Sequence, residues 1–128
     1  MKRTGILTVI IIVVLFLECN ANVYAGWAQV NAVLRADQKT VSSEYALFDA
    51  KEMFCCTQPV SRYPIKFQAY GASDLGRNPV VEANIIYNVG QSGTEKVNPS
   101  RNYHKIVLTG WNINAAVKDC IGYGYITD

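Results

Sequence analysis

Residues 79–89 read PVVEANIIYNV, and their pattern decides how the rest of the chain is read. Val81, Ala83, Ile85, Tyr87 and Val89 fall on one side, while Glu82, Asn84 and Asn88 fall on the other. Only Val80 and Ile86 break the alternation. A period of two places the two sets on opposite faces of a β-strand. Pro79 has no N–H to give to a ladder and suits the strand's first position. Gly90, Gln91, Ser92 and Gly93 follow, which is turn chemistry. The expectation is a half-buried strand leading into a hairpin.

Working outward, residues 26–36 alternate again, with Ala28, Val30, Ala32, Leu34 and Ala36 on one face. This favours a strand over a helix built on Trp27, Val30 and Leu34. Residues 42–54 read as a helix. Ser42 or Ser43 can cap it, Glu44 suits its first turn, and Ala46, Leu47, Ala50, Met53 and Phe54 recur at helical spacing. A hairpin turning at residues 49–52 is the alternative. Residues 63–71, YPIKFQAYG, fit either period. Ile65, Phe67 and Ala69 make a strand face, whereas Pro64 and Gly71 suit the first turn and C-terminal cap of a helix.

Residues 103–110 return to strand character around Ile106, Val107 and Leu108. Asn112 or Asn114 can cap a short helix over residues 115–118, and residues 123–127 make a last strand. From residue 63 the expected order is helix, strand, strand, helix, strand. That is an α+β fold with a small antiparallel sheet of about three strands and two short helices, preceded by a strand/helix segment.

The chain has 128 residues, which suits one domain. Residues 1–25 have the pattern of a signal peptide. Lys2 and Arg3 form a basic start, an apolar run spans residues 6–17, and Val23, Tyr24 and Ala25 offer a cleavage site. The run is short for a membrane span, which takes about 20 residues; an uncleaved anchor is the competing reading. A domain of residues 26–128, periplasmic or secreted, is expected. Losing Lys2, Arg3 and Glu18 leaves that domain close to neutral, which argues against nucleic acid as a partner.

Three cysteines lie beyond the leader: Cys55, Cys56 and Cys120. Adjacent cysteines rarely bridge each other, so an oxidising compartment predicts a disulfide from Cys120 to Cys55 or Cys56. Such a bridge would contribute roughly 4 kcal/mol.

Nothing in the chain points to catalysis, and no cofactor or metal is expected. His104 is the only histidine, Cys55 and Cys56 have no spacer between them, and no Gly-rich loop opens a helix. The chain does carry eight tyrosines and two tryptophans. Tyr123 and Tyr125 share a strand face. They either pack over the sheet or contact a glycan or protein.

From residue 62 to about residue 123 the order of motifs resembles the C-terminal domain of the TonB energy-transducer family. Tyr63 and Pro64 are followed by Ala69 and Gly71, then by the valine-rich strand and glycine turn of residues 80–93. Ile106, Val107 and Leu108 come next, then Ala115, Ala116, Val117 and Lys118, then an aromatic strand near Tyr123. The resemblance implies a periplasmic protein-binding module. Its partner would be a protein, such as an outer-membrane receptor peptide, taken up as an added strand. An open sheet edge can do this through its unpaired N–H and C=O groups.

The edges expected to be open are residues 103–110 and 123–127. Tyr103, His104, Ile106, Tyr123 and Tyr125 are therefore the candidate partner contacts. Two other classes fit the composition. One is a secreted glycan- or protein-binding subunit, such as an adhesin or a toxin's binding component. The other is a periplasmic inhibitor or immunity protein acting through residues 90–103.

Overall fold

The computed structural model describes residues 28–128, and the expected signal peptide lies outside the described residues. Ten strands follow one another: β1 (Ala28–Leu34), β2 (Thr40–Ser42), β3 (Ala46–Leu47), β4 (Glu52–Thr57), β5 (Ile65–Ala72), β6 (Val80–Tyr87), β7 (Ser92–Lys96), β8 (Tyr103–Asn112), β9 (Ala115–Ala116) and β10 (Gly122–Thr127). No helix occurs among the described residues. The strands form a four-stranded sheet in the order β1-β10-β4-β7 and a six-stranded sheet in the order β2-β8-β5-β6, in which β3 and β9 also pair with β8. All these pairings are antiparallel. If β2 and β3 are taken as one broken strand and β9 is set aside, the chain alternates between the sheets except at the β5–β6 hairpin, which is the order of a jelly roll.

This overturns the expected α+β fold. Residues 63–71 form β5, because Ile65, Phe67 and Ala69 are fully buried while Lys66, Gln68 and Tyr70 are only half-buried. Pro64 precedes the strand, and its carbonyl accepts the Trp111 N–H at 2.9 Å. The expected helix at residues 42–54 is instead divided among β2, β3 and β4. Phe48 N–H bonds to Asn102 carbonyl, and Lys51 N–H to Thr127 carbonyl. A helix would have kept those groups for itself. At residues 115–118 only β9 forms, a short addition to β8.

The turn at Gly90 exists, with Gly90 at φ +81°, a conformation that suits glycine. It does not make a hairpin, however. β6 pairs with β5 and β7 pairs with β4, so the turn carries the chain from one sheet to the other.

The core lies between the sheets. Val30, Leu34, Met53, Cys55 and Ile126 of the four-stranded sheet meet Ile65, Phe67, Ile106 and Leu108 of the six-stranded sheet. Cys55 and Cys120 are buried free thiols, so the expected bridge from Cys120 to Cys55 or Cys56 is absent, and no disulfide joins two of the described residues. Burial pushes the Cys55 thiol well above its ordinary pKa, with a smaller contribution from Glu95. A thiol held protonated in this way packs as a small apolar group.

Neither strand expected to offer an open edge does so. β8 lies between β5 and the pair β2/β3, while β10 lies between β1 and β4. The edges are β1 and β7 in one sheet and β2 and β6 on the main path of the other.

Candidate functional site

The alternation in β6 fails at one residue, and that failure builds the most polar part of the interior. Ala69 pairs with Ala83, but the next residue, Tyr70, pairs with Val81. Glu82 is therefore an extra residue in a β-bulge, a feature that re-aims a side chain. Val81 is left exposed and Glu82 turns inward, with its side chain 1% exposed.

The Glu82 carboxylate is fully engaged. Its Oε1 lies 2.6 Å from His104 Nδ1. Its Oε2 accepts the backbone N–H of Ser100 at 2.6 Å and that of Arg101 at 3.2 Å. The Glu82 carbonyl also accepts the Asn98 N–H at 3.3 Å. One residue thus ties the connection between β7 and β8 onto the sheet. A buried carboxylate is tolerable only with such partners.

Room for the carboxylate comes from Gly71, which lies opposite His104 on the neighbouring strand. A Cβ at Gly71 would overlap the Glu82 carboxylate. Because three partners fix that carboxylate, Gly71→Ala is expected to destabilise by about 1–3 kcal/mol, the range for overpacking. Urea denaturation of the variant checks this, and an unchanged midpoint would refute it.

His104 sits edge-on to Phe48, with ring centroids 5.1 Å apart. Its Nε2 has no hydrogen-bond partner. The histidine is completely buried beside the Glu82 carboxylate. Among the described residues no group of three or more His, Cys, Asp or Glu side chains could hold a metal.

The solvent-facing side of the six-stranded sheet is different in kind. Lys105 Nζ stands 4.8 Å from the centre of the Tyr45 ring and 5.7 Å from that of Tyr70. The Tyr70 hydroxyl donates to Gln68 Oε1 at 3.3 Å. Toward the other end of β5, Lys66 Nζ lies 3.6 Å over the Trp111 ring. The neighbouring register positions hold Asn84, Val107 and Ser42. Burial, and then the charges of Tyr70 and Glu82, push the Tyr45 hydroxyl above its ordinary pKa, so it stays a neutral donor at physiological pH. From Tyr70 to Lys66 the strand advances roughly 13 Å. The face therefore offers two aromatic–lysine groups joined by amides and a hydroxyl.

The sequence-derived candidates are scattered relative to this face. Tyr103 lies on its outer side, at the end of β8. Ile106 and His104 point inward and are buried. Tyr123 and Tyr125 belong to the other sheet, on the side away from the core. Sequence reading missed Tyr45, Lys66, Gln68, Tyr70, Lys105 and Trp111. The signal was present in the alternation of Lys66, Gln68 and Tyr70, which a helix assignment for residues 63–71 concealed.

No family model matches this chain, and no curated protein matches it. Solved structures that match include one described as "Crystal structure of PirA". It is 10% identical, with a TM-score of 0.48 over 76% of this chain and 89% of that one. The helix-containing fold implied by the TonB resemblance is not the fold present.

Proposed function

We propose that this protein is an exported binding module that takes an oligosaccharide on the outer face of its six-stranded sheet. One observation carries the reading: Tyr45, Tyr70 and Lys105 are grouped with Gln68 on a solvent-facing sheet surface, and Lys66 and Trp111 repeat the arrangement further along. Aromatic rings present flat apolar surface to the C–H faces of a sugar, while lysine and amide groups serve its hydroxyls. Jelly rolls include lectin domains among many others, so the scaffold alone decides nothing.

The test is a glycan array with the full chain, followed by calorimetry on each hit. Tyr70→Ala and Lys105→Ala are each expected to weaken binding by at least about tenfold, or ~1.4 kcal/mol. Their stability should stay within about 0.5 kcal/mol of the unsubstituted chain, as for ordinary surface changes. Binding that survives both substitutions would place the site elsewhere.

Strand addition to a partner peptide keeps one supporting observation. β6 is an outermost strand, with Val81 and Ile86 exposed on it. A bound peptide that slows hydrogen exchange at β6 amides, and leaves Tyr70→Ala binding at full strength, would favour that reading. Within the stretch considered for an inhibitor, residues 92–96 form β7 and the connection after it is held by Glu82.

A further inference from the structure

The strand register gathers residues 35–39, 58–64, 88–91 and 113–121 at one end of the sandwich. Hydrogen bonds tie these connections to one another and to the strand ends. Asp119 N–H donates to the Ala36 carbonyl, Arg62 N–H to the Asp119 carbonyl, and Gly90 N–H to the Thr57 carbonyl.

Three of the connections turn on an aliphatic residue. Ser61 N–H donates to the Gln58 carbonyl, which puts Pro59 and Val60 at the centre of a β-turn. Gln91 N–H donates to the Asn88 carbonyl, which does the same for Val89 and Gly90. Asn112 pairs with Ala115, leaving Ile113 and Asn114 as a two-residue hairpin loop with φ of +46° and +64°. Such a loop favours Asn-Gly, and a β-branched residue at positive φ is an outlier. Ile113 is also 88% exposed, so packing within the chain does not account for it. Strain that the fold does not need marks sites of function.

Charge separates this end from the other. Its connections carry Arg35, Lys39, Arg62 and Lys118 against Asp37 and Asp119, and Lys66 adjoins them over Trp111. Asp119 lies 3.9 Å from Arg62. Leu47 and Leu75 are exposed at the opposite end, but residues 43–51, 73–79 and 97–102 hold as many acidic as basic side chains. Exposed aliphatic residues surrounded by a basic excess are complementary to a surface that is apolar beneath and anionic above.

We infer that this end of the sandwich docks on an anionic lipid bilayer. Ile113 and Val60 enter the boundary between headgroups and acyl chains, while Arg35, Lys39, Arg62 and Lys118 face the lipid phosphates. Docking by this end leaves Tyr70 and Lys105, toward the other end of the six-stranded sheet, clear of the bilayer.

The experiment attaches a polarity-sensitive fluorophore to the full chain at Ile113→Cys and, in a second sample, at Leu75→Cys. Vesicles of phosphatidylcholine are added, with or without phosphatidylserine. Emission from position 113 is expected to shift to the blue on vesicles containing phosphatidylserine and to stay unshifted on phosphatidylcholine alone. Emission from position 75 should stay unshifted on both. Lys39→Ala and Lys118→Ala should each raise the lipid needed for half the shift roughly fivefold, the worth of one basic residue near an anionic surface. Added salt should act in the same direction. Ile113→Asn should melt no lower than the unsubstituted chain, because asparagine tolerates this φ. A shift at position 75 as large as that at position 113, or a shift indifferent to both lysines, would overturn the inference. So would an Ile113→Asn chain that melts lower, which would make the residue structural. An unshifted position 113 would overturn it too, and would leave the apolar turns to a protein partner.

Discussion

Glu82→Ala is expected to destabilise the protein by about 3–5 kcal/mol, the range for removing one partner of a buried pair and leaving the other unsatisfied. The size follows from what the alanine abandons. His104, 1% exposed, would lose its Nδ1 partner, and its Nε2 already has none. The N–H groups of Ser100 and Arg101 would lose their acceptor as well. A domain of this size has a total stability of roughly 5–15 kcal/mol, so the variant should lie close to its unfolding limit at 37 °C. Glu82→Gln keeps one acceptor oxygen and should recover part of the loss. Urea midpoints for the two variants give the comparison, and a Glu82→Ala midpoint equal to that of the unsubstituted chain would exclude a structural role for the pair. Hydrogen exchange adds a local readout: amides of residues 98–102 should lose protection before those of β5.

Ile106→Pro is expected to cost about 3 kcal/mol or more from the backbone alone. In a β8 that formed an open edge, this substitution would spare the fold and weaken only strand addition. In the observed sheet β8 is interior. The Ile106 N–H donates to Ser43 Oγ at 3.0 Å, and its carbonyl accepts the Ser43 N–H at 3.0 Å. Proline removes the first bond and disturbs the second. It also replaces a side chain that is fully buried between the sheets, and a large-to-small change there adds to the cost. Thermal melting should show little cooperative transition left. A variant that melts like the unsubstituted chain would mean that β8 is not an interior strand.

Local periodicity was a sound guide wherever one face of a strand meets the core and the other meets water. β1 has Val30, Ala32 and Leu34 buried between exposed neighbours. β8 buries His104, Ile106 and Leu108 in the same rhythm, with half-buried residues between them. Residues 63–71 obey the rule as well. The helix assignment there rested on Pro64 and Gly71, two residues whose reasons are tertiary. Pro64 ends a loop whose carbonyl meets Trp111, and Gly71 leaves space for a carboxylate eleven residues further along the chain. For residues 42–54, apolar spacing suggested a helix because three short strands from two different sheets happened to be read as one segment.

The candidate binding face was half legible. Lys66, Gln68 and Tyr70 share a face in any strand reading, but Lys105, Tyr45 and Trp111 reach them only through the pairing of β5 with β8. Partners in a sheet are chosen by hydrogen bonds between distant segments, and the period of a single strand carries no record of them.

The sequence by itself placed strands at β1, β8 and β10 to within two residues at either end, and a turn at Gly90. Alternation and glycine's access to positive φ are local properties. Only the tertiary structure decided that the turn joins two sheets and that β8 and β10 are interior. It alone brought Glu82 inside. A bulge is an extra residue relative to a partner strand, so it has no meaning until β5 is beside β6, and the carboxylate it turns inward is stable only because His104, Ser100 and Arg101 have come to meet it.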